Sequence, residues 1–210
     1  MYGNYSVEVI FLPNRTVYVG YGPGGTGNLV FFCGLQFGKG TWSNGVYTGT
    51  ITSFTTCEQP YEVGTGSVSI TGNGGAVSGA FSGGTDYHAT VLPSSEFNFN
   101  TPAVLSSISG TWSVIHLVDR NTSGISSISI DASGNLNGTY DNGCSISGKV
   151  TPDTSNKNFF DLSITYGGPP CLPANQSGSG IAVLLPTAGP AQLEFWASSG
   201  TTFGMVLVSQ

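Results

Sequence analysis

The chain has 210 residues, a net charge of −6, only 8% charged residues and 32 glycines. Its five cations, Arg15, Lys39, Arg120, Lys149 and Lys157, form no run that could neutralise nucleic-acid phosphates or grip an anionic lipid surface. Disorder is excluded on the opposite ground: aromatic residues reach 11%, and apolar side chains alternate with small polar ones, as in a folded β protein.

In chain order, residues 4–12 form the first β run, closed by Pro13-Asn14-Arg15-Thr16. Runs over 16–21 and 27–32 flank the turn Gly22-Pro23-Gly24-Gly25-Thr26. Cys33 opens a Gly-containing strand, a polar turn follows, and a longer alternating strand over 46–52 leads to Cys57. Strands over 66–70, 76–81 and 87–92 complete the set. Residues 93–109, with Pro93, Pro102 and several serines, then join it to a second set.

That second set repeats the first. Residues 111–118 are closed by Asp119-Arg120-Asn121-Thr122, and runs over 125–130 and 136–140 flank the turn 131–135. Cys144 opens another Gly-containing strand, an alternating strand covers 159–165, and a short loop ends in Cys171. Strands over 180–184, 192–196 and 203–208 finish it. A rival register, matching Gly40-Thr41-Trp42 to Gly110-Thr111-Trp112, leaves the cysteines unmatched and is rejected. The order predicts an all-β protein of two tandem repeats, residues 1–95 and 104–210, each of about eight short antiparallel strands. No 3.6-residue period occurs, and no stretch approaches the ~18 apolar residues of a transmembrane helix. A transmembrane barrel of about 16 strands would leave about 13 residues for each strand and its loop, too few for spans of roughly 9–11 residues with long outer loops.

Short connections favour a meander, and a meander of eight strands closes into a small barrel without exposed edges. Gly49, Gly79, Gly138 and Gly148 within strands suit its tight coiling. The alternative is a pair of β-sandwiches, but the immunoglobulin type joins strands distant in sequence through its disulfide, around a buried Trp. Here each cysteine pair encloses one hairpin. The repeat therefore predicts bridges Cys33–Cys57 and Cys144–Cys171, the second pinning a loop over one barrel end. Each is worth roughly 3–4 kcal/mol in the chain-entropy model and implies an oxidising compartment. Neither half has a C-x-x-C, and His88 and His116 lie far from the cysteines in sequence, so no metal and no cofactor are expected.

The plan of the second repeat carries a resemblance. An opening Gly110-Thr111-Trp112 strand leads to the hairpin G-N-L-N-G-T-Y ending at Tyr140, then Cys144-Ser145-Ile146-Ser147-Gly148. The strand N-F-F-D-L-S-I-T-Y ends at Tyr166, a loop carries Cys171, and F-G-M-V-L-V-S-Q ends at Gln210. This resembles small exported, disulfide-containing β proteins and lipoproteins of Gram-negative bacteria, and the first repeat shares it more loosely. The resemblance implies a periplasmic, outer-membrane-surface or secreted location, and no reaction. No signal peptide and no lipobox cysteine precede the first strand, as in a chain read without its export signal.

Chemistry-bearing residues are scattered. Asp86 and His88 share a strand face and could form a base–orienter pair, but the second repeat has nothing similar there, so a polar strand edge explains them. His116 is placed on the face of Trp112 and Val114, as a core or rim histidine. Asp131 and Asp141 flank one hairpin, as paired glycosidase acids would, and with Asn135 and Asn142 could supply calcium oxygens; turn chemistry explains all four. The glycine-rich stretch 20–27 is followed by neither Lys nor helix, so it is no phosphate loop. Tyr18, Tyr21, Trp42, Tyr47 and Tyr61 concentrate in the first repeat, where the second has mostly Ser, Asn, Asp or Pro. Most suit a barrel interior, but Trp42 sits at a hairpin turn. Tyr21, Trp42 and Tyr61 are therefore the expected binding residues, for a protein or carbohydrate at the cell surface, with contact to the other repeat as the alternative for Trp42 and Tyr61. The sequence points to a non-enzymatic envelope protein with a binding or structural role. A ligand-carrying barrel in the style of a lipocalin is the alternative, and a hydrolase comes third.

Overall fold

A computed structural model describes residues 5–14, 16–23, 32–55, 62–73, 76–81, 85–90, 97–119, 124–186, 190–200 and 203–209. Apart from a 3-10 turn at Leu105–Ser107, the described regular structure is antiparallel β. Among the described residues, no helix is long and apolar enough to cross a membrane. The chain divides into two compact units, Met1–Pro93 and Ser94–Gln210.

The first unit is a seven-stranded meander: β1 (Tyr5–Phe11), β2 (Thr16–Pro23), β3 (Gly34–Ser43), β4 (Val46–Thr55), β5 (Glu62–Asn73), β6 (Ala76–Phe81) and β7 (Thr85–Thr90), paired in chain order. Eight strands were expected. Seven are described; β2 pairs directly with β3, from Thr16 opposite Lys39 to Tyr21 opposite Gly34. The run expected over 27–32 lies almost wholly outside the described residues. The edge strands β1 and β7 run close together, but no hydrogen-bonded ladder joins them among the described residues. One face of this curled sheet buries Val17, Val19, Tyr47, Ile51, Val68 and Ile70, with Val7, Val9 and Phe11 packed against them.

The second unit closes. Its strands are β8 (Gly110–Val118), β9 (Ile125–Ile130), β10 (Asn135–Tyr140), β11 (Ser145–Pro152), β12 (Phe160–Tyr166), β13 (Ser177–Leu185), β14 (Gln192–Ser199) and β15 (Phe203–Ser209). The ladder of β15 with β8 completes an eight-stranded barrel. The period of two is plain in β12, where Phe160, Leu162, Ile164 and Tyr166 are buried while Asp161, Ser163 and Thr165 are exposed. Each such buried side chain contributes roughly 1.5–3 kcal/mol relative to exposure. The interior is filled by Ile128, Ile130, Leu136, Ile146, Val150, Phe195, Met205 and Leu207, among others, as the bore of an eight-stranded barrel allows.

Both barrel ends are covered. At one, the segment before β8 buries Ile108 and lays Ala103 and Leu105 against the core, while Trp112 Nε1 donates to the Ile108 carbonyl at 2.8 Å. Phe99 stacks on Phe159 with ring centroids 5.9 Å apart, and Lys157 Nζ reaches Asn100 Oδ1 at 2.7 Å. At the other end, β11 and β12 pair with Ile146 opposite Tyr166, so Cys144 and the loop after Tyr166 meet. Cys144 and Cys171 form the predicted disulfide, with Cα atoms 4.7 Å apart. Cys33 is also disulfide-bonded; Cys57, its expected partner, lies outside the described residues.

His116 does not share a face with Trp112 and Val114. In the β15–β8 ladder Val208 faces His116 and Ser209 faces Val114, so the register shifts past Ile115. This bulge sends Trp112, Val114 and Leu117 to the core and leaves His116 on the other face. A strict period of two cannot anticipate such a flip.

Candidate functional site

The β3–β4 hairpin turns on Asn44 and Gly45, both in the left-handed region at φ 51° and 77°. A two-residue turn of this kind favours Asn-Gly and matches the right-handed twist of its strands. It sets Trp42 opposite Tyr47 and Gly40 opposite Gly49. A Cβ on Gly40 would lie 2.6 Å from Tyr47 Cζ and would also strike the Thr48 carbonyl. The Tyr47 ring thus lies across the glycine backbone, fully buried, and burial raises its hydroxyl pKa.

Trp42 stands on this base. Its ring centroid is 5.6 Å from Tyr47 and 5.2 Å from Phe11, and Phe11 is 5.3 Å from Tyr47. The interplanar angles, 63°, 54° and 67°, are the tilted and edge-on contacts that aromatic quadrupoles favour. Trp42 nevertheless keeps 47% of its surface exposed. The three rings lie towards the sheet end that carries the β1–β2, β3–β4 and β5–β6 turns. There Asn14, Ser43, Asn44 and Thr71 are exposed and uncharged.

The other expected binding residues do not join it. Tyr21 pairs with Gly34 at the far end of β3 and packs over that glycine, partly buried. Eight strand positions separate Gly34 from Trp42, about 26 Å at the usual rise. Tyr61 lies outside the described residues, as do the side chains of Asp86 and His88.

In the second unit, Asp131 and Asp141 lie at opposite ends of β10, about 20 Å apart along a strand of that length. They cannot act as a catalytic or calcium-binding pair. Asp131 instead holds its own turn, accepting from the Ser133 and Asn135 N–H groups at 2.8 and 2.9 Å and from the Asn135 side chain at 2.6 Å. The Asn135 backbone bond, followed by its side-chain bond, lowers the Asp131 pKa. Among the described residues, no three His, Cys, Asp or Glu side chains are grouped to hold a metal ion.

Two polar clusters escaped the sequence reading. Beside the disulfide, Tyr140 and Tyr166 are buried and both donate to Asp119 Oδ2, Tyr166 at 2.9 Å. Burial first, then the Asp119 charge and Tyr140, push the Tyr166 hydroxyl well above its ordinary range. On β14, buried Glu194 accepts from Gln192 Nε2 at 2.6 Å and Trp196 Nε1 at 3.1 Å. The first draws on β10, β12 and the residue just past β8, so only the register reveals it. The second was legible as the alternation Gln192, Glu194, Trp196. The first satisfies two buried phenols, and the second satisfies both oxygens of a buried carboxylate.

Comparison with known proteins returns no match to a family model, a curated protein or a solved structure.

Proposed function

We propose that this is a non-enzymatic exported protein of the bacterial envelope or cell surface, whose first unit binds a partner through Trp42. The half-exposed Trp42 ring, propped by Phe11 and Tyr47, carries this reading. An aromatic fixed in place before binding loses little side-chain entropy when a partner covers it. Cys144–Cys171 supports an oxidising location, and the second repeat's resemblance to exported Gram-negative β proteins supports the envelope. The disulfide-pinned barrel is its structural partner. A carrier role for that barrel is disfavoured, because side chains fill its bore and cover both mouths.

Cosedimentation with isolated Gram-negative envelopes tests the reading. The purified protein is expected to pellet with them. Trp42→Ala, destabilised by about 1–2 kcal/mol through lost ring contacts but still folded, is expected to bind about tenfold more weakly, a loss of ~1.4 kcal/mol. Wild-type protein that stays in the supernatant, or a variant that pellets equally well, overturns it.

A further inference from the structure

We propose that the seam between β1 and β7 receives an extended strand of a partner polypeptide, which completes the first unit as an eight-stranded barrel. The inference goes beyond the reading of Trp42 and stands independently of it.

Parity is the first argument. Each neighbouring pair from β1 to β7 is antiparallel. Six reversals of direction leave β7 running parallel to β1. In the second unit seven reversals set β15 antiparallel to β8, and there the ladder closes. All of β1 and β7 lies within the described residues, and their Cα atoms approach within 8 Å, yet no ladder joins them. A strand laid between them runs antiparallel to both, the pairing that every described ladder of this chain uses. It has to spread them only to about 9.5 Å, two strand spacings, and no ladder has to break first.

The edges themselves are the second. β1 has one ladder partner, β2, and β7 has one, β6. A strand paired on one side only presents backbone donors and acceptors on the other. Neither Y-S-V-E-V-I-F nor T-D-Y-H-A-T contains the proline or lysine with which natural sheets blunt an edge.

The third argument is what lies beneath the seam. Val7, Val9 and Phe11 of β1 pack against the core of the first unit but stay partly exposed, whereas Val17 and Val19 of β2 are fully buried. An incoming strand with an apolar residue at every second position extends the cover over them, while its main chain bonds both edges. An edge strand of a second copy does not fit, because it already has one neighbour and can cover one edge, not two. The occupant is therefore a segment paired on neither side before it binds.

Hydrogen exchange of the full chain, followed by mass spectrometry, reads the seam. In the free protein, residues 5–11 and 85–90 are expected to exchange at least about tenfold faster than β3 and β4, which are paired on both sides. Two peptides serve as probes. F-G-M-V-L-V-S-Q has the sequence of residues 203–210, most of which form the strand that pairs antiparallel with β8. T-V-T-V-T-V-T-V tests strand character alone. At least one is expected to slow exchange in both β1 and β7 about tenfold at saturation, to leave β8 and β15 unchanged, and to lose its effect when its fourth residue is proline. The proposal is overturned if β1 and β7 are as protected as β3 and β4 in the free protein, or if neither peptide slows them. It is overturned equally if the slowing is confined to one of the two strands, which is edge pairing and not insertion. Protection of either strand that rises with protein concentration alone makes the occupant a second copy and also overturns it.

Discussion

Tyr166 has no route to water for its hydroxyl, and its bond to Asp119 lets it stay inside as a neutral phenol. Because its folded pKa lies above the unfolded value of about 10, its contribution to stability is complete below pH ~10. Above that, the unfolded chain ionises its tyrosine while the folded barrel does not. Stability is then lost at about 1.4 kcal/mol per pH unit until the folded group also titrates. Thermal melts followed by circular dichroism from about pH 9 to about pH 11 should show a steeper decline for wild type than for Tyr166→Phe. Equal slopes would mean that the phenol is not held neutral. Tyr47 acts in the same direction in the first unit, since burial raises it too.

At the scale of the element, the β3–β4 hairpin depends on what Gly40 and Gly49 leave out. A Cβ on Gly49 would lie 2.8 Å from the Gly40 Cα, so the pair lets two strands and the Tyr47 ring share one space. Gly40→Val should displace Tyr47 and cost about 1–3 kcal/mol, as overpacking does. The urea midpoint should fall, and Trp42 emission should shift red as its base moves; an unchanged midpoint would refute the packing argument. Local signals made much of this readable. Asn44-Gly45 marks a tight hairpin, and Cys144 with Cys171 follows from laying one hairpin strand on the next. What the sequence hides is pairing at a distance. Alternation does not say which strands become neighbours, and β2 takes β3. The curl that brings Phe11 onto Trp42, and the closure that gathers Asp119, Tyr140 and Tyr166, lie beyond any local window. His116 fails for a smaller reason: one bulge reverses every face beyond it.

At the scale of the molecule, the unit Ser94–Gln210 has its own closed ladder, core and disulfide. It should fold alone with one cooperative transition. Removing the bridge by Cys144→Ala/Cys171→Ala should lower stability by about 3–4 kcal/mol, or roughly 10–20 °C in Tm. A fragment without a cooperative melt would show that the barrel is not autonomous. Its closure also has a consequence in time. The seam that seals the barrel joins β8, first of its strands in chain order, to β15, the last, with Val118 opposite Val206. Every other seam joins neighbours and can form as the chain lengthens. This one waits for the whole unit, so β8 keeps an open edge until β15 arrives. That interval, during synthesis or refolding, is when the barrel is most exposed to pairing with another chain.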